Sequence, residues 1–195
     1  MTRTSRVERT TRETSVEVEL DLDGSGVVSV DTGVGFFDHL LTSLATHAVV
    51  DLTVTTKGDL EIDDHHTVED TALAIGSALA EALGDRAGIQ RFGDALVPMD
   101  EALARCAIDL SGRPYAVVDI PMRQSSIGNF STQNLGHVVE SLARTGAFSI
   151  HLSATGHNDH HVAEAAIKAL ARALREAVAI DPRRTGVAST KGTLE

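Results

Sequence analysis

Two segments of the chain repeat the same arrangement of possible metal ligands. They run from His65 to Glu69 (HHTVE) and from His160 to Glu164 (HHVAE). In a helix, a histidine and a glutamate four positions apart project from one face, about 40° apart, so His65 and Glu69 can bind one cation together. The adjacent ring, His66, lies about 100° round the helix, so we expect it to face a different cation or a different wall.

Two further histidines extend this set. His39 and His137 occupy matching positions when the two halves of the chain are aligned, which gives six histidines and two glutamates in all. Three histidines and one glutamate per ion suit Mn, Fe, Co or Zn rather than Ca or Mg. A lone histidine is more often structural, and the histidines without a counterpart are either donors to ligand rings or structural. They are His47, His151 and His157.

The adjacent rings of each pair point apart, so one chain is not expected to close either site alone. We expect each site to take one helix from each of two subunits.

Cationic and hydroxyl side chains could bind a phosphate, although each alone is more often a solvated surface group. No Walker A loop or Rossmann glycine pattern is present, so nucleotide cofactors are not indicated. The phosphate candidates are Arg91, Arg113, Lys168, Ser189 and Lys191.

The elements that must position these residues occur twice. In order they are a strand, which in the first half alternates polar and apolar residues, a partner strand predicted to form a hairpin with it, a short helix, a further strand, and a long helix that begins at the histidine pair. Because the order is kept while loop lengths differ, the pattern indicates a duplicated unit. The ranges are 14–22, 27–30, 37–46, 49–55 and 65–83 in the first half, and 104–110, 115–120, 136–144, 147–153 and 160–178 in the second.

The duplication predicts an α+β fold of two ββαβα-type halves. Each half is expected to form a four-stranded, mostly antiparallel sheet with helices on one face, and the two helix layers are expected to pack together. We place an N-terminal arm at 1–13, the first half at 14–90, the second half at 91–180 and a C-terminal tail at 181–195. The tail carries a Ser-Thr-Lys-Gly loop that we expect to contact the substrate.

Composition argues against several classes of function. The formal net charge is −11 and aromatic residues make up only 3% of the chain, which disfavours an RNA-binding module and nucleic-acid partners in general. No apolar run approaches the length that spans a membrane, and the first residues lack the apolar core of a signal sequence. The single cysteine, Cys106, fits a reducing compartment, so we expect a cytoplasmic protein.

Eight motifs together carry a family resemblance. They are residues 37–41 (FDHLL), 58–59 (GD), 64–70 (DHHTVED), 91–93 (RFG), 98–101 (PMDE), 111–115 (SGRPY), 158–161 (NDHH) and 189–192 (STKG). In these motifs the chain resembles the imidazoleglycerol-phosphate dehydratase family of histidine biosynthesis, over nearly its whole length. It departs from the family at Gly35, where Pro is usual, and at Val162-Ala163, which replace bulkier residues; none of these is a proposed ligand.

The resemblance implies a manganese enzyme with two ions per active site, in a shell of 24 subunits whose sites are shared between chains. The implied metal ligands are His39, His65, His66, Glu69, His137, His160, His161 and Glu164. The implied substrate-binding residues are Glu13, His39, His47, His65, Glu69, Arg91, Arg113, His160, Lys168, Ser189 and Lys191. We expect the catalytic groups to be Glu13, His39, His65, Glu69 and Glu164.

The implied reaction is dehydration of D-erythro-imidazole glycerol phosphate to imidazole acetol phosphate. Metal ions on both ring nitrogens would favour a metal-bound imidazolate, which expels the adjacent hydroxyl to give a diazafulvene-like intermediate and then, after loss of a carbon-bound proton, an enol and a ketone. Glu13 is expected to act as acid/base, with positioning of a substrate hydroxyl as the alternative. Rival interpretations are a binuclear metallohydrolase of a phosphorylated substrate and a non-enzymatic metal-binding shell protein.

Overall fold

A computed structural model describes residues 3–194. The first half folds as three strands, a short helix, a strand and a long helix, and the second half repeats this order with one small hairpin inserted. The first half contains β1 (Thr4–Thr10), β2 (Thr14–Asp21), β3 (Val28–Asp31), α1 (Gly35–Ala48), β4 (Asp51–Gly58) and α2 (His65–Leu83). The second half contains β5 (Phe92–Met99), β6 (Ala102–Asp109), β7 (Tyr115–Asp119), β8 (Ser126–Ile127), β9 (Phe130–Ser131), α3 (Asn134–Gly146), β10 (Ser149–Thr155) and α4 (Asp159–Ala177).

Each half forms one four-stranded sheet. The strand orders, β1-β2-β4-β3 and β5-β6-β10-β7, are equivalent under the duplication. Three strands of each sheet pair antiparallel, and the fourth, β3 or β7, pairs in parallel with β4 or β10. The predicted α+β fold of duplicated, mostly antiparallel halves is therefore confirmed.

The predicted hairpins were wrong. β3 pairs in parallel with β4, with Val28 opposite Leu52, and it is not a neighbour of β2. In the second half β7 pairs in parallel with β10, with Tyr115 opposite Ser149. A parallel pair needs a long crossover between its strands, and α1 and α3 supply that crossover. Alternation in the sequence indicated the strands but not which strand each one joins.

Residues 4–10, which we predicted to lie in an N-terminal arm, instead form the edge strand β1. Val7 lies opposite Val18 of β2. The inner face of β1 carries only the partly buried residues Ser5, Val7 and Arg9, and its outer face is polar. Because just one of these inward residues is apolar, the strand leaves little hydrophobic signal in the sequence.

The helix layers of the two halves pack together, as predicted. α1 packs against α4 and α2 packs against α3, so each helix pair joins one helix from each half. Small residues permit the close approach, since a Cβ on Gly76 of α2 would lie 2.7 Å from the carbonyl oxygen of Leu142 in α3. The shared core is built mostly from Ala, Val, Leu and Ile, in keeping with the scarcity of aromatic residues.

Both long helices carry a histidine pair in their first turn. α2 has the predicted limits, and α4 begins and ends one residue earlier than predicted. Asn158 caps α4, since its side chain accepts the backbone N–H of His160 at 3.0 Å. The histidine rings therefore project from the first turn of each helix, at one end of the helix layer. Within residues 3–194, the helices are all too short or too polar to cross a membrane.

Candidate metal centres

The first candidate centre lies between α1 and α4 and consists of His39, His160 and Glu164. The Nε2 atoms of His39 and His160 lie 2.9 and 2.8 Å from the same oxygen, Oε1 of Glu164. One ligand atom from each residue lies within 4.8 Å of the others, close enough to surround one ion. Helical spacing places two of these residues on one face of α4, and α1 of the other half adds the third.

Glu164 is ionised in this centre although its side chain is only 9% exposed. Burial alone raises the pKa of this carboxyl group, but hydrogen bonds from Lys168, His39 and His160 outweigh it and lower the pKa to about 2. A carboxylate that is ionised at neutral pH and lies between two imidazole rings is suited to bind a cation.

The second candidate centre lies between α2 and α3 and consists of His65, Glu69 and His137. Its three ligand atoms also lie within 4.8 Å of one another. Oε1 of Glu69 is 3.3 Å from Nε2 of His137, and Oε2 is 3.6 Å from Nε2 of His65. The two imidazole rings stack with their centroids 5.0 Å apart. The two centres thus have the same composition, and each draws on both halves of the chain.

The donor set of both centres fits a transition metal, because each offers two imidazole nitrogens and one carboxylate. Nε2 of His137 is buried and makes no well-directed hydrogen bond among residues 3–194, although Oε1 of Glu69 lies 3.3 Å away. A buried polar atom without a partner is unfavourable unless something binds it. Nδ1 of His65 lies 3.2 Å from Oδ1 of Asn134, a contact that leaves Nε2 to bind a cation.

Within one chain, His66 and His161 join neither centre. Their ring planes make angles of 78° and 90° with the neighbouring ring of each pair. Nδ1 of His66 lies 3.0 Å from Asp59, and Nδ1 of His161 lies 2.8 Å from Glu101. Each of these rings therefore has one nitrogen held by a carboxylate, so each is oriented by its own chain although it lies outside that chain's centres.

Glu13, the candidate acid/base, lies in the exposed turn between β1 and β2. Its Oε2 atom is 3.8 Å from Nδ1 of His66. In the alignment of the two halves Glu13 matches Glu101, and Glu101 contacts His161, the counterpart of His66. The duplication therefore extends to the carboxylates beside the outer rings, and Glu13 lies next to an outer ring rather than in a centre.

Four of the phosphate candidates gather where β5, β6 and β7 meet the C-terminal tail. Arg91 donates to both oxygens of Asp109, at 2.6 and 3.0 Å, and to a carbonyl oxygen of the tail. Nη2 of Arg113 lies 3.9 Å from the same carboxylate. In the tail, the backbone N–H of Lys191 donates to Oγ of Ser189 at 3.2 Å.

The fifth candidate, Lys168, lies beside the first centre, where its Nζ atom donates to Oε2 of Glu164. Burial and nearby positive charges, Lys168 first among them, lower the pKa of His47. Arg91, by contrast, lies at the other end of α4, where its backbone N–H donates to the carbonyl oxygen of Ala177. Ala177 is nine residues further along this helix than Lys168. Nine helical residues span about 13 Å, so one chain divides the phosphate candidates into two groups.

Several residues around the centres were not predicted to act there. The ring of Phe36 lies 5.1 Å from that of His160, centroid to centroid, and Nη2 of Arg144 lies 3.1 Å from Oε1 of Glu69. Glu101 was detectable as the counterpart of Glu13. Phe36 and Asn134 each lie three residues before a histidine of a centre, and Arg144 lies seven residues after His137, so helical spacing places all three on the ligand-bearing faces of α1 and α3. This signal points to the centres only once α1 is known to pack against α4 and α2 against α3.

A family model described as imidazoleglycerol-phosphate dehydratase matches residues 32–174. An imidazoleglycerol-phosphate dehydratase of Frankia casuarinae is 58% identical over 195 residues and 100% of both chains. One of Methanothermobacter thermautotrophicus is 55% identical over 98% of both chains.

Two solved structures have the same fold. The imidazoleglycerol-phosphate dehydratase of Staphylococcus aureus superposes with a TM-score of 0.83 at 31% identity, covering 91% of this chain and 99% of that chain. The structure from Pyrococcus furiosus, in complex with (S)-C348, gives a TM-score of 0.82 at 37% identity over 96% and 99%. The region that the family model matches holds every residue of both centres. The chain therefore belongs to the imidazoleglycerol-phosphate dehydratase family, the hydro-lyases of histidine biosynthesis.

Proposed function

We propose that this chain catalyses the manganese-dependent dehydration of D-erythro-imidazole glycerol phosphate to imidazole acetol phosphate in L-histidine biosynthesis. The main support is the pair of equivalent centres, each with two imidazole nitrogens and one carboxylate within 4.8 Å. The substrate ring has two nitrogens, one for each centre. When bound, two manganese ions would supply Lewis-acid stabilisation of the negatively charged ring.

The reaction removes a hydroxyl group and a proton, and no redox cofactor is needed. Electrons of the ring anion expel the hydroxyl on the carbon attached to the ring, which leaves a diazafulvene-like intermediate, and the departing oxygen takes up a proton to become water. The next carbon then loses its proton, and the resulting enol rearranges to the ketone. At least one group near the ring must therefore accept and donate protons.

Glu13 is the candidate for these proton transfers. Its carboxylate is exposed and lies beside His66. From there it can reach a substrate that is bound next to the imidazole ring of His66. Positioning of a substrate hydroxyl is the alternative role for the same side chain. The remaining catalytic residues in this proposal act at the ring through the ions that they bind; they are His39, His65, Glu69 and Glu164.

The complete site is proposed to be shared between chains of a 24-subunit shell. His66 and His161 lie outside the centres of their own chain, and their side chains are 35% and 24% exposed. Lys168, with His47 beside it, is separated from Arg91 and Arg113. A site built from more than one chain would bring the outer rings to the centres and would join the two groups of phosphate ligands.

Cytoplasmic location is part of the same proposal and rests on the single cysteine.

The direct test is an assay of imidazole glycerol phosphate dehydration with metal-stripped protein, with and without added Mn. We expect turnover only with Mn, two bound ions per chain by elemental analysis, and smaller oligomers after chelation. His39→Gln and His137→Gln should each remove one ion, because each takes one imidazole from one centre. His151→Gln is the matched control, since this exposed histidine lies on β10 outside both centres.

Two results would contradict the proposal. One is full turnover and unchanged particle size after chelation. The other is retention of two ions by both variants. Release of inorganic phosphate without formation of the ketone would instead indicate a metallohydrolase.

A further inference from the structure

One element of the second half has no equivalent in the first. Between β3 and α1 the chain needs only residues 32–34, whereas between β7 and α3 it takes residues 120–133. The extra segment forms a small hairpin of β8 and β9, defined here as residues 123–132 and called the β8–β9 hairpin. Its base is closed by the N–H of Thr132, which donates to the carbonyl oxygen of Ser125 at 3.0 Å.

Two buried aspartates anchor this hairpin from opposite sides. Asp64 is 7% exposed and accepts both the N–H and the hydroxyl of Ser131, each at 2.7 Å. Asp159 is 2% exposed and accepts the N–H groups of Arg123 and Gln124, at 2.9 and 2.7 Å. A buried carboxylate is strongly unfavourable unless its oxygens are hydrogen-bonded, so these contacts fix the hairpin firmly.

The two aspartates are equivalent in the duplication, and each directly precedes a histidine pair. Asp64 comes before His65 and Asp159 before His160. Neither carboxylate caps its helix: Asp64 occupies the N-cap position of α2 without bonding a helix N–H, and Asn158 caps α4. Aspartate at an N-cap, the position of Asp64, usually bonds the helix itself. Here both side chains bond the same hairpin instead.

The hairpin also contacts the other two helices that carry ligands. The side chain of Asn129 donates to the carbonyl oxygen of Gly33 and accepts the N–H of Gly35, where α1 begins. The ring of Phe130 is fully buried and stacks on Phe37 of α1, with centroids 6.0 Å apart. The hairpin then leads directly into α3. It therefore touches the ligand-bearing end of all four helices.

We infer that the β8–β9 hairpin is a positioning element that fixes the two metal centres relative to each other, with Asp64 and Asp159 as its positioning residues. The inference rests on the proposed function, in that the centres bind metal. Each centre combines one helix from each half, so its geometry depends on how the helices are held. The hairpin links the α1–α4 pair to the α2–α3 pair, so loosening either anchor alters both centres.

The test asks whether an anchor acts across the molecule. Asp159→Ala is combined with His39→Gln, so that only the second centre keeps all its ligands. Asp64→Ala is combined with His137→Gln, so that only the first centre keeps all its ligands. Mn affinity is measured by titration of the metal-stripped full-length chain with electron paramagnetic resonance. We expect each anchor variant to lower the Mn affinity of the distant centre about tenfold or more, which is the loss of affinity seen when supporting contacts of a metal site are removed. Asp159→Asn keeps an acceptor oxygen and should restore much of the loss.

A milder pair protects the test against variants that fail to fold. Ser131→Ala removes one donor to Asp64, and Ser126→Ala makes the same change at an exposed position of the same hairpin. Hydrogen exchange of the metal-free protein supplies a readout that does not depend on any ion. We expect faster exchange in the first turns of α1, α2 and α4 for Ser131→Ala than for Ser126→Ala.

The possible outcomes separate this inference from the proposed function. Failure of the unaltered chain to bind Mn would overturn the proposed function, while the exchange experiment would still test the hairpin. Normal Mn binding with an unchanged distant centre in the folded anchor variants would overturn the positioning role alone. Equal exchange in the two serine variants would count against it as well.

Discussion

Oε2 of Glu101 lies 2.8 Å from Nδ1 of His161. The bond from His161, together with the N–H of Asn158, lowers the pKa of Glu101 to about 2. The same bond to Glu101 raises the pKa of His161. This contact therefore holds an outer histidine ring in one orientation at the start of α4, in the half of the chain opposite to Glu13.

Glu101→Gln is expected to lower the pKa of His161, because a neutral amide stabilises the imidazolium ion less than a carboxylate does. The measurement is an NMR pH titration of the ring protons in metal-free protein. Glu13→Gln is the matched comparison: it should lower the pKa of His66 less, because Asp59 is the main cause of the raised pKa there. An unchanged His161 pKa would show that the Glu101 contact is not formed in solution.

Glu13→Gln is also expected to separate metal binding from chemistry. The side chain lies outside both centres, so the variant should keep its two ions and its particle size. If the carboxylate transfers protons, turnover should fall about 100-fold or more, the usual contribution of a general acid/base. Glu81→Gln is the control, because it makes the same change on an exposed residue near the far end of α2. Near-normal turnover of Glu13→Gln would reject the catalytic role.

The histidine pairs and the helices that carry them could be predicted because the signal is local. The apolar period sets the limits of α2, and the spacing from His65 to Glu69 places both on one face. The duplication then adds His39 and His137. Which histidines share a centre could not be predicted in this way, because it depends on α1 packing against α4 and α2 against α3, and burial of the helix faces alone does not choose these pairs.

The strand partners and the hairpin anchors could not be predicted for a physical reason. Whether β3 joins β2 or β4 depends on the path of α1, and alternation in a strand does not record it. Asp64 looks like an ordinary helix cap in the sequence, whereas its carboxylate bonds Ser131, 67 residues further along the chain. Side-chain bonds to distant backbone groups leave no periodic pattern.

Arg113→Lys should test the phosphate site. Arg113 is 60% exposed, and its guanidinium group is only loosely paired with Asp109, so it remains able to bind an anion. Lysine keeps the charge but loses the two-pronged geometry. Loss of one hydrogen bond to a charged group is worth about 1.5–3 kcal/mol, which corresponds to a rise in KM of roughly 10- to 100-fold.

The value of kcat should change much less, because a phosphate far from the reacting carbons is bound alike in the ground state and the transition state. Arg105→Lys is the control, since this exposed arginine lies on β6 away from the tail. If kcat instead fell by as much as KM is expected to rise, and KM stayed unchanged, Arg113 would act in the chemical step and not in phosphate binding.

Asp51 offers a test of stability against pH away from the metal centres. Its Oδ1 atom accepts the N–H groups of Ser25, Gly26 and Val27, at 2.7, 3.0 and 2.8 Å. These bonds, from Val27 first, lower its pKa below the ordinary value of 3.8. A lowered pKa in the folded state means that the contribution of Asp51 to stability is complete above about pH 3.8 and is lost as the pH falls through the folded value.

Asp51→Asn should therefore lower the melting temperature at pH 7, and the difference from the unaltered chain should shrink as the pH falls below 3.8. Thermal unfolding followed by circular dichroism at a series of pH values measures this, with Asp31→Asn at the exposed end of β3 as the control. A difference that stays constant with pH would mean that the amide replaces the carboxylate without loss of charge stabilisation. The turn that connects β2 to β3 would then depend on the shape of the side chain alone.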